Sequence, residues 1–600
     1  MTTETKFHFS PRPNRAGEIN WREWSDEAFR EAQDANKPLL LALSAVWCHW
    51  CHVMDETSYS DEGVISYINE HFVPVRVDND QRPDINARYN MGGWPTTAFL
   101  TPEGEILAGG TYIPPDQMKE VLPKVYVYFV NNRNEVTEKA VELREKRAEA
   151  QTGVRAELSP EIFETIVSSI SGQYDPVYGG FGEAPKFPHT DALDLLLYAH
   201  RKTRDPDVLH MARKTLEYMA AGEVYDHEWG GFFRYATRRD WSEPHYEKML
   251  EDNAGLLRNF LALFRTTLKP EHAEVAKGIV SYVRWKLRDK GHGYFYGSQD
   301  ADEEFYKLPK ADREGREEPY IDRTCYTSWN AMMISAFLEA SWTLDQPDLR
   351  DEALTALRFL LDEMRRDGVM LRYRPHGASE PQVSGLLTDQ AHTARALLDA
   401  HEVTGDSRHL DDAIALAELM AERFADAESG GFFDVWNEGE ATGRLKDRQK
   451  SLQDNACVAE VMTRLHHMTR EDRWHELIQS TLAAFTGTYP HMGHFAAAYG
   501  KQVDVFLNPP VEVNIVGSGL IEVLRREALS LDVPARVIQI IDPIRDVKRL
   551  AALGIPGEPS PAAYVCAGTM CSAPITEPDR LADVVRGMVA GPRIIELPGD

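Results

Sequence analysis

Residues 45–54 read "AVWCHWCHVM": two cysteines, two histidines and two tryptophans in ten positions. A redox pair, a zinc site and an aromatic core that happens to hold thiols are the three readings to separate. "PLLLALSA" (38–45) is a continuous apolar run, the mark of a strand buried on both faces, and Cys48 follows it directly. The segment from Cys51 to Asn69 reads as a helix. "SDEAFREAQDANK" (25–37) has helical spacing with Ser25 as N-cap, and "HFVPVRVD" (71–78) reads as a second buried strand. "TTAFLTPEGEILAGGTY" (96–112) reads as two strands joined at Pro102-Glu103-Gly104.

Strand, CxxC at a helix start, strand, then Gly92-Gly93-Trp94-Pro95 leading into a hairpin is the thioredoxin order. Its chemistry explains the spacing. A sulfur at a helix N-terminus meets unpaired amides and the positive end of the dipole, which favours thiolate. Two intervening residues let Cys51 reach Cys48 and resolve a mixed disulfide. Pro95, in a position that is often cis in this fold, offers backbone to a partner beside the sulfur. His49 between the cysteines either stabilises thiolate or is a solvated loop residue. A zinc site built from Cys48, Cys51, His49 and His52 has suitable ligand types, but neighbours at one helix start do not easily wrap a tetrahedron. No metal and no cofactor is therefore expected. "LLLALSA" lacks the buried carboxylate of an efficient thioredoxin, so deprotonation of Cys51 falls to His52, Asp55, Glu56 or water.

Six hundred residues exceed one core, so two or three domains are expected. A formal charge of −29 argues against nucleic acid or an anionic membrane as partner, since both need a basic footprint. The first twenty residues hold no apolar signal region and no run approaches the roughly 18 apolar residues of a membrane span, so a cytoplasmic protein is expected. Six cysteines are too few for a disulfide framework; Cys48/Cys51 and Cys566/Cys571 are the close pairs, with Cys325 and Cys457 alone.

Beyond a charged helical connector the texture changes. Amphipathic helices near 160–171, 206–221, 271–289, 347–366, 407–425 and 472–488 alternate with helices that are apolar nearly all round, near 190–203, 248–266, 327–344, 387–404, 453–470 and 492–506. Four of the latter open with a related tripeptide: Asp252-Asn253-Ala254, Trp329-Asn330-Ala331, Asp389-Gln390-Ala391 and Asp454-Asn455-Ala456. "GGFG" (179–182), "GGFF" (230–233), "GHGYF" (291–295) and "GGFF" (430–433) repeat a glycine–aromatic theme between helices. Twelve helices in six hairpins predict an (α/α)6 toroid whose inner ring aims polar and aromatic side chains at one mouth. Carboxylates and aromatics in such a mouth suit a sugar, with acid and base from the carboxylates and stacking from the rings. The candidates are His245, Glu247, Lys248, Asp252, Asp300, Asp302, Trp329, Asn330, Asp389, His392 and Asp454. Each Asp or Asn is equally an ordinary helix cap.

The tail offers strands at 511–517, 535–542 and 562–568, a small α/β appendage in which Cys571 could open a helix after Cys566, the two being either a second redox pair or a structural accident. The fold class is thus multidomain α/β plus all-α: a thioredoxin-like domain (1–134), a connector (135–158), the toroid (159–510) and the C-terminal region (511–600).

"CHWCHVM", "VRVDNDQRPDINARYNMGGWPTTAFLTPEG", "GGFGEAPKFP", "PHYEKMLEDNA", "TSWNAMM" and "AYVCAGTMCSAPIT" together resemble the YyaL-type proteins, thioredoxin-domain-containing relatives of spermatogenesis-associated protein twenty. The resemblance implies a thioredoxin-like domain fused to a six-hairpin toroid similar to N-acylglucosamine epimerases and glycosidases. On it, Cys48 and Cys51 carry over as the redox pair and Pro95 as the facing proline. Epimerase-like enzymes use paired histidines on inner helices, and His245 and His392 sit in comparable places. Three functions are expected to compete: a thiol–disulfide oxidoreductase, with a protein thiol or a reductase as partner and a carbohydrate-like ligand in the toroid; a sugar epimerase or hydrolase regulated by its thioredoxin domain; and a non-catalytic redox-sensing scaffold.

Overall fold

The structure, a computed structural model, describes residues 7–150, 156–436, 441–517, 521–557, 561–568 and 570–589. Residues 151–155 of the predicted connector and 590–600 of the predicted tail lie outside them.

The N-terminal unit runs α1 (Asp26–Ala35), β1 (Leu39–Ser44), α2 (His49–Glu56), α3 (Glu62–His71), β2 (Val73–Asp78), α4 (Pro83–Tyr89), β3 (Thr96–Leu100), β4 (Ile106–Gly110) and α5 (Pro115–Asn131). Its sheet has the order β2-β1-β3-β4, with β1 parallel to β2 and antiparallel to β3. Leu39, Leu40, Leu41 and Leu43 are wholly buried, as the unbroken apolar run requires. Ser25 Oγ caps α1 by accepting the Ala28 N–H. The single helix expected over 51–69 is two. A turn at Ser58–Ser60 breaks it, and the Asp61 carboxylate caps α3 by accepting from Gly63 and Val64. An aspartate two residues before a glycine outcompetes apolar periodicity there.

After a helix spanning Arg133–Ala150, six outer helices (Pro160–Gly172, Pro206–Ala221, Pro270–Tyr282, Pro347–Glu363, Ser407–Arg423, Asp472–Ala483) alternate with six inner ones (Thr190–Thr203, Leu250–Thr267, Thr327–Thr343, Leu387–Thr404, Leu452–Thr469, Ala497–Leu507). Each inner helix packs on the next, and Ala497–Leu507 returns to Thr190–Thr203, closing the (α/α)6 ring. Four outer helices begin with proline, whose missing N–H and fixed φ suit the first turn.

The repeats have structural work to do. Asn253 Oδ1 accepts the Phe232 N–H while its Nδ2 donates to the Phe232 and Met249 carbonyls. Asn330 holds Phe295 in the same way, Gln390 holds Met370 and Asn455 holds Phe432. Each amide clips the strand after a glycine turn to the start of an inner helix. The turns are tied by Asp175, Asp226, Asp289 and Asp426, each accepting two backbone N–H groups. Lys186, Lys248 and Lys450 bridge three of these aspartates to a glycine carbonyl. Gly230 has φ +77°, and a Cβ there would lie 2.3 Å from the Gly278 oxygen.

The tail forms a second sheet from β5 (Val511–Val516), β6 (Arg536–Ile541), β7 (Ala562–Ala567) and β8 (Met570–Cys571), ordered β6-β5-β7-β8. Cys571 opens no helix; it pairs across a hairpin with Cys566. This sheet sits at the C-terminal ends of the inner helices: Glu512 meets His467 and Arg470, and Arg525 reaches the Thr404 carbonyl. The N-terminal unit covers the opposite end. Arg88 of α4 forms a bidentate pair with Asp434 at 2.7 and 3.1 Å and donates to the Arg444 and Asp447 carbonyls.

Candidate functional site

Cys48 caps α2, and its Sγ accepts the Cys51 N–H at 3.2 Å. The two sulfurs form a disulfide with the Cα atoms 5.2 Å apart. Trp47, just before Cys48, meets Trp94, just before Pro95, with ring centres 5.8 Å apart, so the CxxC tip and the start of β3 face each other. The Trp94–Pro95 peptide is cis. His49 is partly exposed beside Trp50, their ring centres 5.8 Å apart.

The toroid lies against this tip. The Arg234 guanidinium stands over Trp47 at 4.4 Å and Trp94 at 5.1 Å. Cys48 and Cys51 are 5% and 2% exposed, within an apolar cluster that continues into the toroid core. Of the groups expected to take the Cys51 proton, two are committed elsewhere. Asp55 holds Arg76 at 2.8 and 2.9 Å, and Glu56 accepts the Ser10 hydroxyl. His52 remains, its Nε2 against the Val46 carbonyl at 2.9 Å and its Nδ1 3.6 Å from Asp300 Oδ2. Burial lowers His52 to about 4, while burial raises Asp300 to about 8, helped by Glu247. Asp300 thus lies beside the CxxC helix, with Glu247 near it and His245 next to Glu247. His245 stacks on Tyr235 with centres 4.4 Å apart, 3.6 Å from Glu247, whose other oxygen is buried and unpartnered. Asp302 caps a short helix through the Phe305 N–H.

The ring encloses a cavity of about 420 Å³ to which all six inner helices contribute. Its roof is Asn79, Asp80 and Pro83 of the thioredoxin-like unit, which lie over the mouth expected from sequence. Asp80 accepts the Trp47 indole N–H at 2.7 Å, and its carbonyl accepts from Arg372 at 2.8 Å. Arg372 also donates to Ser328 and Asp389. Trp329 and His392 line the cavity, and His392 Nδ1 lies 3.8 Å from Cys457 Sγ. Burial drives His392 far below its usual value and the Cys457 thiol up to about 12, so neither is ionised near neutrality. Cys325 is buried too, its thiol likewise pushed up.

Several candidates take structural places. Asn330 is fully buried with its amide spent on Phe295 and Tyr326, and Lys248 is fully buried as a turn clamp, its ammonium lowered to about 8 by burial. Asp389 accepts the Ser328 N–H and Asp454 takes the Thr388 hydroxyl, each tying one inner helix to its neighbour. Asp252 faces Arg234 and Glu247. Burial raises Asp252, Asp389 and Asp454 to about 6 each. His245 is not among the cavity-lining residues, so two histidines do not flank one cavity. Sequence reasoning missed the acids that do line it, Asp80, Asp191, Asp194, Glu251 and Glu460; among them Glu251 is raised to about 7 by burial and bonded to Trp329, and Asp191 is also raised. Asp191 opens Thr190–Thr203, and Glu251 adjoins the repeated tripeptide; a search for acids in every inner first turn would have found both. Among the described residues no group of three or more His, Cys, Asp or Glu could hold a metal ion, and no helix is long and apolar enough to cross a membrane.

Residues 12–147 match the Thioredox_DsbH family, described as a protein of unknown function, DUF255. The chain is 28% identical to human spermatogenesis-associated protein 20, covering 94% of this chain and 89% of that one. Over 98 residues it is 29% identical to the thiol:disulfide interchange protein DsbD of Campylobacter jejuni, 16% of this chain and 17% of that one. Among solved structures, cellobiose 2-epimerase from Spirochaeta thermophila aligns with 61% of this chain and 98% of its own, at 18% identity and a TM-score of 0.48. The resemblance read from the sequence holds: this is a thioredoxin-like DUF255 domain joined to a six-hairpin toroid, in a chain similar along nearly its whole length to spermatogenesis-associated protein 20.

Proposed function

We propose that the protein is a thiol–disulfide oxidoreductase whose reacting pair is Cys48 and Cys51. The observation that carries this reading is Cys48 Sγ at the tip of α2, bonded to Cys51 and accepting the Cys51 N–H. In the reduced state that amide and the helix dipole stabilise a Cys48 thiolate. The thiolate attacks a partner disulfide and releases one partner thiolate. Cys51, giving up its proton, then attacks Cys48 Sγ and releases the second, leaving the bond seen here. Pro95 and the two tryptophans present the surface a partner meets. Arg234 occupies that surface in this structure, so exchange requires the toroid contact to open or a partner small enough to slip beneath it. Under graded dithiothreitol, alkylation should show Cys48–Cys51 opening and re-forming, with Cys48→Ser abolishing the cycle. A pair that stays reduced under mild oxidation defeats the reading.

A second reading concerns the toroid. Its cavity combines Trp329 with Asp191, Glu251 and the guanidinium groups of Arg258, Arg372 and Arg395. Buried acids, both raised by burial and Glu251 to about 7, beside an aromatic face support binding or processing of a carbohydrate-like molecule. An untargeted metabolite screen on oxidised and reduced protein, repeated with Glu251→Gln, tests it; retention of no sugar in either state counts against it.

A further inference from the structure

The C-terminal sheet repeats the N-terminal one. β5 is parallel to β6 and antiparallel to β7, which pairs with β8, and helices at Glu522–Ser530 and Val547–Leu553 fill the connections that α2–α3 and α4 fill in the first unit. Where the thioredoxin-like unit keeps its disulfide at a helix tip, this one keeps it in the edge hairpin. Cys566 and Cys571 face each other across β7 and β8 with Cα atoms 4.1 Å apart.

Two observations make this disulfide more than a staple. The first is its asymmetry: Cys571 is exposed on the edge strand while Cys566 is 2% exposed. Cys48 and Cys51, by contrast, are both covered by the toroid. Of the two disulfides among the described residues, this is the one with an exposed cysteine. The second is an amide aimed at the buried sulfur. Asn514, wholly buried in β5, directs Nδ2 at Cys566 Sγ, 3.9 Å away, and its Oδ1 accepts from Gln539 Nε2 at 2.9 Å. Burying an amide in a central strand costs free energy that a valine would avoid, and among the described residues the acceptor its Nδ2 meets is that sulfur. A donor to sulfur favours thiolate, and a better thiolate is a better leaving group.

We propose that Cys566–Cys571 is a second exchange site, open to external dithiols, in which Cys571 is the sulfur attacked and Cys566 the thiolate that leaves. One thiolate of the dithiol attacks Cys571 Sγ, the Cys566–Cys571 bond breaks, and the electron pair departs on Cys566 toward the Asn514 N–H. The dithiol's second thiol loses its proton to solvent and attacks its own sulfur in the mixed disulfide, expelling Cys571 as thiolate. The dithiol ends as a disulfide, solvent returns to Cys566 and Cys571 the two protons the dithiol gave up, and two electrons have passed to the protein. This site stands apart from the reading of Cys48 and Cys51.

The test uses the full chain carrying Cys48→Ser and Cys51→Ser, with dithiothreitol as the dithiol and no denaturant. Samples are quenched by alkylation and the 566–571 peptide is read by mass. The pair is expected to open in the folded protein, with tryptophan fluorescence unchanged, and to re-form with oxidised dithiothreitol. Asn514→Val should slow opening about tenfold, while Asn514→Thr, which retains a donor, should slow it less. Added singly to that background, Cys566→Ser should leave a Cys571 thiol that reacts with an aromatic disulfide at least about tenfold faster than the Cys566 thiol left by Cys571→Ser. A disulfide that opens only as the chain unfolds, or two thiols of equal reactivity, overturns the proposal.

Discussion

Asp300 shows how one carboxyl changes meaning with its surroundings. In sequence it is an acid of "SQDADEE", a candidate for sugar chemistry; in the structure it stands 3.6 Å from His52, one residue beyond Cys51. Burial raises it to about 8, above the value of about 4 it has in an unfolded chain. An acid whose folded pKa is raised contributes stability that is complete below pH about 4 and lost as pH rises through about 8. Asp300→Asn should therefore flatten the fall in melting temperature between those pH values, read by circular dichroism; an unchanged slope would show that the carboxyl is not held protonated. His52 has the opposite sign. Its folded value is lowered to about 4, so its contribution is complete above about 6.5 and disappears as pH falls through about 4. The CxxC and Pro95 were legible because their chemistry lies within short stretches. The partner of His52 was not, because it arrives from 248 positions away in the chain.

Among elements, the repeated tripeptide was plain in the sequence while its purpose was not. Asn253, Asn330, Gln390 and Asn455 each hold one residue's N–H and C=O to an inner-helix start, so the repeat records a folding device used four times. Removing one such amide strands a buried donor and acceptor together. Asn330→Ala should cost about 2–4 kcal/mol, seen as a lowered melting temperature, with Cys48–Cys51 exchange unchanged in the protein that remains folded. Asn330→Asp, which keeps an acceptor but loses the donor, should recover part of that loss. Helix positions followed from the apolar period. The break within 57–61 did not, since a side-chain cap and a glycine overrode the period. Nor did the place of Cys571, whose strand is two residues long and defined by its partner.

At the scale of the molecule, a ring of helices is closed at both ends by sheets of the same order. The roof is held by buried charge: Arg88 binds Asp434, and Arg372 joins Asp80, Ser328 and Asp389. Breaking one member of a buried pair leaves the other unpaired, at about 3–5 kcal/mol. Arg88→Met should raise amide exchange in Pro83–Tyr89 and Gly443–Lys446 together and make Cys48 more reactive to alkylation after reduction, as the thioredoxin-like unit loosens from the ring. A rise confined to one segment would mean the two units are not docked through this pair. The roof also places Asn79 and Asp80 over the cavity, so a ligand bound there touches both units.

Sequence by itself determined what is local: the strand before the CxxC, the alternation of one-sided and all-round apolar helices, the glycine turns, and hence a thioredoxin-like unit followed by six hairpins. Each follows from the period of a strand or helix and from the few residues that cap or turn one. Only the tertiary structure decided that the mouth is roofed, that Asp300 stands by His52 and Arg234 over Trp47 and Trp94, and that Cys571 is exposed while Cys48 is covered. Those outcomes depend on burial and on neighbours brought from distant positions, and neither is encoded in the spacing of any one segment.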